Sequence, residues 1–102
     1  MASWDVVFEP LAVDELAEID AYDGRRILEA ILEQLTTQPN VRTRNRKPLE
    51  GVDPPFPHEQ PVWELRVGDW RVIYSWNEAE RGVHVWSVFF KGTKTTEEAM
   101  KK

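Results

Sequence analysis

The chain has 102 residues, a formal net charge of −5 and no cysteine. That length fits one domain, taken as residues 1–102. An apolar content of 41% supports a packed core and argues against disorder. The lack of cysteine excludes a disulfide framework, a thiolate zinc site and a cysteine nucleophile. No apolar run approaches the roughly 20 residues of a membrane helix. The opening Met1-Ala2-Ser3-Trp4-Asp5 lacks the basic and apolar regions of a secretory signal. A cytoplasmic protein with no membrane partner is therefore expected.

Residues 4–8 read as a short first strand, closed by Pro10. Residues 11–21 carry Ala12, Leu16 and Ile19 at helical spacing. Asp23-Gly24 is expected to interrupt or bend the pattern. A second helix is predicted over 25–35, with the stripe Ile27, Leu28, Ile31, Leu32 and Leu35. Residues 39–61 contain six prolines, which disfavour a continuous helix or central strand, so a long loop is expected. Loops of that length are usually functional or disordered. Residues 62–67 alternate, with Trp63, Leu65 and Val67 on one face and Glu64 and Arg66 on the other. Gly68-Asp69 is a two-residue turn signal of the type II′ kind. Residues 70–76 alternate again, and 83–90 form a last strand. Thr95 or Thr96 caps a short helix over 97–102. The fold class is α+β: a β-α-α-β-β-β antiparallel sheet, a helical hairpin on one face and a short C-terminal helix.

The charge is uneven. Residues 1–33 carry a net −7, a poor match for a phosphate backbone. The densest basic cluster is Arg42, Arg44, Arg46 and Lys47 in the proline-rich loop. It is either a solvated loop or a nucleic-acid contact. The turn at Gly68-Asp69 sets Arg66 directly opposite Arg71. Like charges so placed cost stability unless a carboxylate or an anionic ligand lies between them. Two readings follow: a diagonal Glu64–Arg71 pair on a solvated sheet, or a phosphate site built on guanidinium forks. Lys91 and Lys94 follow the last strand as weaker candidates. Trp86 and Phe90 share strand parity and are expected on the arginine face, as a docking stripe or beneath the C-terminal helix. His58 and His84 lack partners at ligand spacing, so no metal or cofactor is expected.

The string Trp63-Glu64-Leu65-Arg66-Val67-Gly68-Asp69-Trp70-Arg71-Val72-Ile73-Tyr74 resembles the hairpin core of the RelE/ParE superfamily of bacterial type II toxins. Arg44-Asn45-Arg46-Lys47-Pro48-Leu49 is similar to the segment preceding it in many members. The resemblance implies a RelE-like toxin, a cognate antitoxin partner, and DNA contact only through the toxin–antitoxin complex. RelE-like members cleave mRNA on the ribosome, without a metal. Carried over by position, Arg71 matches the arginine on the scissile phosphate, Arg66 a basic position on the preceding strand, and Lys91 the basic end of the last strand. Those three are the expected catalytic residues; Arg42, Arg44, Arg46, Lys47 and Lys94 are the expected nucleic-acid-binding residues. Two departures stand out. A lysine of RelE is replaced by Glu64, and no tyrosine follows Tyr74, so a general base is not obvious. The alternatives are a ParE-like inhibitor of DNA gyrase acting by protein binding, and an inactive antitoxin-binding homologue.

Overall fold

A computed structural model describes residues 3–101. Met1, Ala2 and Lys102, part of the N-terminal and C-terminal readings above, lie outside the described residues. The elements run β1 (Asp5–Phe8), α1 (Pro10–Glu18), α2 (Ala21–Leu35), β2 (Arg46–Pro48), β3 (Val62–Val67), β4 (Trp70–Asn77), β5 (Gly82–Phe90) and α3 (Thr96–Met100). The α+β architecture is the expected one, with a five-stranded sheet in the order β1-β5-β4-β3-β2. Two features depart from the expected order. β1 runs parallel to β5, and the proline-rich segment contributes the edge strand β2, antiparallel to β3. An edge position tolerates Pro48, which has no N–H to give the ladder.

The helices begin where local chemistry starts them. Pro10 pre-sets the first turn of α1. α2 begins at Ala21, four residues before the predicted start, because the Asp20 side chain accepts the Asp23 N–H at 2.9 Å. Asp23 lies in the first turn, at the positive end of the helix dipole. Gly24 therefore continues the helix and donates its N–H to the Asp20 carbonyl at 2.8 Å. The glycine costs about 1 kcal/mol relative to alanine, which cap and packing outweigh.

The core has two parts, one on each face of the sheet. On the first, α2 buries Ile27, Ile31 and Leu35 against Trp63, Leu65, Val67, Val72 and Tyr74. On the second, Ala99 and Met100 of α3 cover Val62, Ile73 and Phe89, with Leu49, Val52 and Phe56 of the long loop beside them. α1 follows β1 along β5. Glu15 Oε1 accepts the Val88 N–H and the Ser87 hydroxyl, each at 2.8 Å, beyond the last β1–β5 pair.

The hairpin register is as predicted: Val67 opposite Trp70, Arg66 opposite Arg71, Leu65 opposite Val72. Gly68 takes φ +58°, the left-handed value the turn requires. The expected placement of Phe90 needs correction. Ile73 pairs with Ser87 but Tyr74 pairs with Val85, so Trp86 is an extra residue in β5. The bulge inverts the alternation beyond it. Trp86 lies on the arginine face and donates its indole N–H to Ser75 Oγ at 2.8 Å. Phe90 instead pairs with Trp70, ring centres 5.4 Å apart, on the face of Leu65, Val67 and Val72.

Candidate functional site

β2 explains the fate of the basic cluster. Arg46 pairs with Leu65, whose side chain is on the α2 face; Lys47 pairs with Glu64, on the opposite face. The guanidinium of Arg46 is thus buried. Its Nε donates to the Val41 carbonyl at 3.1 Å, Nη1 to Gln34 Oε1 at 2.7 Å, and Nη2 to Gln38 Oε1 at 3.1 Å. Arg46, expected as an exposed nucleic-acid contact, ties the end of α2 to the sheet instead. Thr43 orders the loop before it: its hydroxyl accepts the N–H groups of Asn45 at 3.1 Å and Arg46 at 3.2 Å. Arg42 and Arg44 remain exposed beside that turn.

Five cations converge on the other face. Arg44, Lys47, Arg66, Arg71 and Lys91 line one cleft of about 170 Å³, with Glu64 and Thr96. Arg66 and Arg71 come from the hairpin, Lys47 from the neighbouring edge strand, Lys91 from the end of β5, and Thr96 from the start of α3. The Lys91 N–H donates to the Asp69 carbonyl at 2.7 Å, tying the segment after β5 to the hairpin turn. Lys94 lies outside this group, in a separate groove with Glu15, Glu18, Trp70 and Phe90. Arg42 lines an adjoining cavity of about 350 Å³, which shares Lys47, Glu64 and Thr96 with the cleft.

Inside the cleft the cations are not equivalent. The side chains of Arg71 and Glu64 are each only 8% exposed. Arg71 Nη1 donates to the carbonyls of Gly68 and Trp70, each at 2.9 Å, and Nε lies 3.5 Å from Glu64 Oε1. The diagonal Glu64–Arg71 pair is present, and α3 makes it a buried pair rather than a solvated one. Burial pushes the guanidinium of Arg71 below the usual arginine value, against the pull of Glu64; the Arg66 charge opposite lowers it further. Glu64 Oε1 also accepts the Thr96 hydroxyl at 3.2 Å, and Oε2 lies 3.8 Å from Lys47 Nζ. The side chains of Arg44, Arg66 and Lys91 have no hydrogen-bond or ion-pair partner among the described residues. Three unneutralised cations around a buried ion pair form a site suited to an anionic oxygen cluster such as a phosphodiester.

Two readings of the sequence missed this design. Thr96 was visible only as a helix cap, yet Thr95 takes that role: its hydroxyl accepts the Glu98 N–H at 3.1 Å, and Glu98 Oε1 accepts the Thr95 N–H at 2.9 Å. The second is Glu64, read only as a charge partner, which is the one carboxylate lining the cleft. Both histidines lie elsewhere. His84 Nδ1 is 2.7 Å from Glu9 Oε2, and His58 Nε2 is 3.4 Å from Asp53 Oδ1. No cluster of three or more metal-ligating side chains occurs among the described residues. No helix among them is long and apolar enough to cross a membrane.

The fold has close counterparts among solved structures. It is similar to the toxin–antitoxin complex RelBE2 from Mycobacterium tuberculosis, at 20% identity and TM-score 0.69, over 88% of this chain and 93% of that one. It is similar to the archaeal RelE–RelB complex from Pyrococcus horikoshii, at 25% identity and TM-score 0.68, over 88% and 97%. The isolated Escherichia coli RelE toxin aligns at 17% identity and TM-score 0.65, over 91% and 88%. Comparison with curated protein sequences finds no match. Residues 6–89 match the family described as the ParE toxin of the type II toxin–antitoxin system parDE. A match over that much of the sequence, on this fold, makes the chain a toxin of the RelE/ParE superfamily of type II toxin–antitoxin systems.

Proposed function

We propose that this toxin cleaves mRNA on the ribosome and is held in check by a cognate antitoxin. The observation that carries the reading is the convergence of five cations on one phosphate-sized cleft. The ribosome fixes the RNA geometry, which supplies much of the barrier lowering by orientation. The 2′-hydroxyl attacks the adjacent phosphorus, leaving a cyclic phosphate and a 5′-hydroxyl. Arg66, Arg71 and Lys91 stabilise charge on the phosphoryl oxygens; one such donor is typically worth about 2.7–4 kcal/mol. Arg44 and Lys47 hold the backbone on the β2 side, and Arg42 lies beyond them along the same face.

Induced expression in a bacterial host lacking the antitoxin tests the reading, with growth and transcript 5′-ends followed together. Arrest with cuts inside translated codons is expected. It should be lost in Arg66→Ala and Lys91→Ala, whose side chains support nothing else among the described residues. A second reading, gyrase inhibition by protein contact, is favoured by the absence of any imidazole or phenol from the cleft lining. Arrest with intact transcripts would favour that reading instead. Folded protein without arrest would indicate an inactive homologue.

A further inference from the structure

We infer that Glu64 is the general base of this cleft. The inference rests on the mRNA-cleavage reading above. A 2′-hydroxyl becomes a useful nucleophile only when a nearby group takes its proton. Guanidinium groups, ammonium groups and one threonine hydroxyl make up the rest of the cleft lining. Guanidinium and ammonium groups are donors with no lone pair to accept a proton, and a hydroxyl is a poor acceptor of one. Glu64 is the single anionic acceptor there.

Its geometry suits the task. Oε1 is fixed by the Thr96 hydroxyl at 3.2 Å and by Arg71 Nε at 3.5 Å. Oε2 has Lys47 Nζ at 3.8 Å, too far for a hydrogen bond, and no other polar partner among the described residues. One oxygen is anchored while the other keeps its lone pairs for substrate. The backbone beneath is rigid, since Glu64 is paired with Lys47 on one side and Ile73 on the other. In the reaction the 2′-O–H proton passes to Glu64 Oε2 as the 2′-oxygen bonds to phosphorus. The P–O5′ bond breaks with its electron pair on O5′, which takes a proton from the Lys91 ammonium. Water then removes the proton from Glu64 and returns one to Lys91. The charged groups that face Glu64 are Lys47 and Arg71 at contact distance, and Arg44, Arg66 and Lys91 across the cleft.

The test is single-turnover cleavage on programmed ribosomes carrying mRNA in the A site, with three substrates. One is the natural RNA, one has a 2′-deoxy nucleotide at the cut, and one has a 5′-bridging sulfur as leaving group. Wild type should cut the first and third and spare the second. Glu64→Gln should slow the first by about 10²–10⁴-fold with ribosome binding unchanged. The sulfur leaving group needs no acid, so it should rescue Lys91→Ala but not Glu64→Gln. In wild type acting on the sulfur substrate, a solvent deuterium isotope effect should remain, because the 2′-hydroxyl proton is still transferred in the rate-limiting step. That effect is read without any variant, so the inference remains testable if Glu64→Gln fails to fold. A wild type that cuts with no such effect, or a Glu64→Gln that cuts normally, overturns the base assignment alone. A wild type that cuts nothing overturns the cleavage reading and the base with it, and one that cuts the 2′-deoxy substrate overturns attack by the 2′-hydroxyl and therefore its base.

Discussion

Replacing Arg46 by alanine separates a structural cation from a functional one. Its guanidinium makes three hydrogen bonds to uncharged acceptors, joining Gln34, Gln38 and Val41 to the sheet beneath α2. Bonds from a charged donor contribute about 1.5–3 kcal/mol each. Gln38 and Val41 are exposed and regain water when the donor is removed, whereas Gln34 stays half-buried. Together with the lost packing of the side-chain stem, the net cost should be about 2–4 kcal/mol, a large share of the ~5–15 kcal/mol a domain has. Urea unfolding followed by tryptophan fluorescence should show a midpoint lower by more than about 1 M for an ordinary slope. Arg44→Ala, two residues away and exposed, should stay within about 0.5 kcal/mol of wild type. If Arg46→Ala unfolds like wild type but loses all growth inhibition, Arg46 serves the ligand and the argument from β2 pairing fails.

Arg71→Ala should destabilise by about 3–5 kcal/mol, because Glu64 is left buried with Lys47, 3.8 Å away, as its one remaining ion-pair partner among the described residues; chemical denaturation reads this, and a loss below 1 kcal/mol contradicts the buried pair. Gly68→Ala places a Cβ at φ +58°, 2.9 Å from the movable Arg26 Nη2, and should cost about 1–2 kcal/mol, seen as a lower unfolding midpoint. The Thr95 backbone N–H, donated to the Glu98 carboxylate, holds Glu98 below the usual glutamate range, with the Thr95 side chain adding to the effect. A depressed carboxyl stabilises the fold above its unfolded value and stops doing so as pH falls through the lowered one. The Ala99 N–H, bonded to the Thr95 carbonyl at 3.0 Å, should lose hydrogen-exchange protection across that acidic window. Thr95→Ala should abolish the window.

The hairpin was legible because one two-residue turn fixes the facing of every residue in two strands. Arg66, Arg71 and Glu64 could be placed together from spacing alone. Local signals could not show the bulge at Trp86, since nothing in Val83–Phe90 distinguishes a bulged strand from a regular one. Regular alternation therefore places Phe90 on the wrong face. The fate of Arg46 was hidden for a related reason. The alternation that turns Arg46 inward and Lys47 outward exists only because Arg46–Pro48 pairs with β3, and proline content argued against a strand there. Gly24 misled in the opposite direction, since a helix break predicted from one residue was overridden by the Asp20 cap.

The same pairing resolves why a chain of net charge −5 carries a cationic cleft. The acidic excess belongs to residues 1–33, that is to β1, α1 and most of α2. α2 packs on the face of the sheet that bears Trp63, Leu65 and Val72, while the cleft opens on the face of Glu64, Arg66 and Arg71. The carboxylates of α2 are separated from the cleft by a packed layer, with stacked layers about 10 Å apart, while Glu9 and Glu15 reach the cleft-side face at His84 and Ser87 of β5 and are spent there on hydrogen bonds. Charges that far apart in solvent are largely screened at physiological salt, where the Debye length is about 8 Å. A phosphate arriving at the hairpin therefore meets the local cations rather than the chain total. Approach with the acidic helices foremost is repelled, so on the mRNA-cleavage reading the asymmetry would orient the molecule on its polyanionic substrate. Net charge alone is thus a poor argument against nucleic acid as the substrate of this fold, and the distribution of charge across the sheet is the relevant quantity.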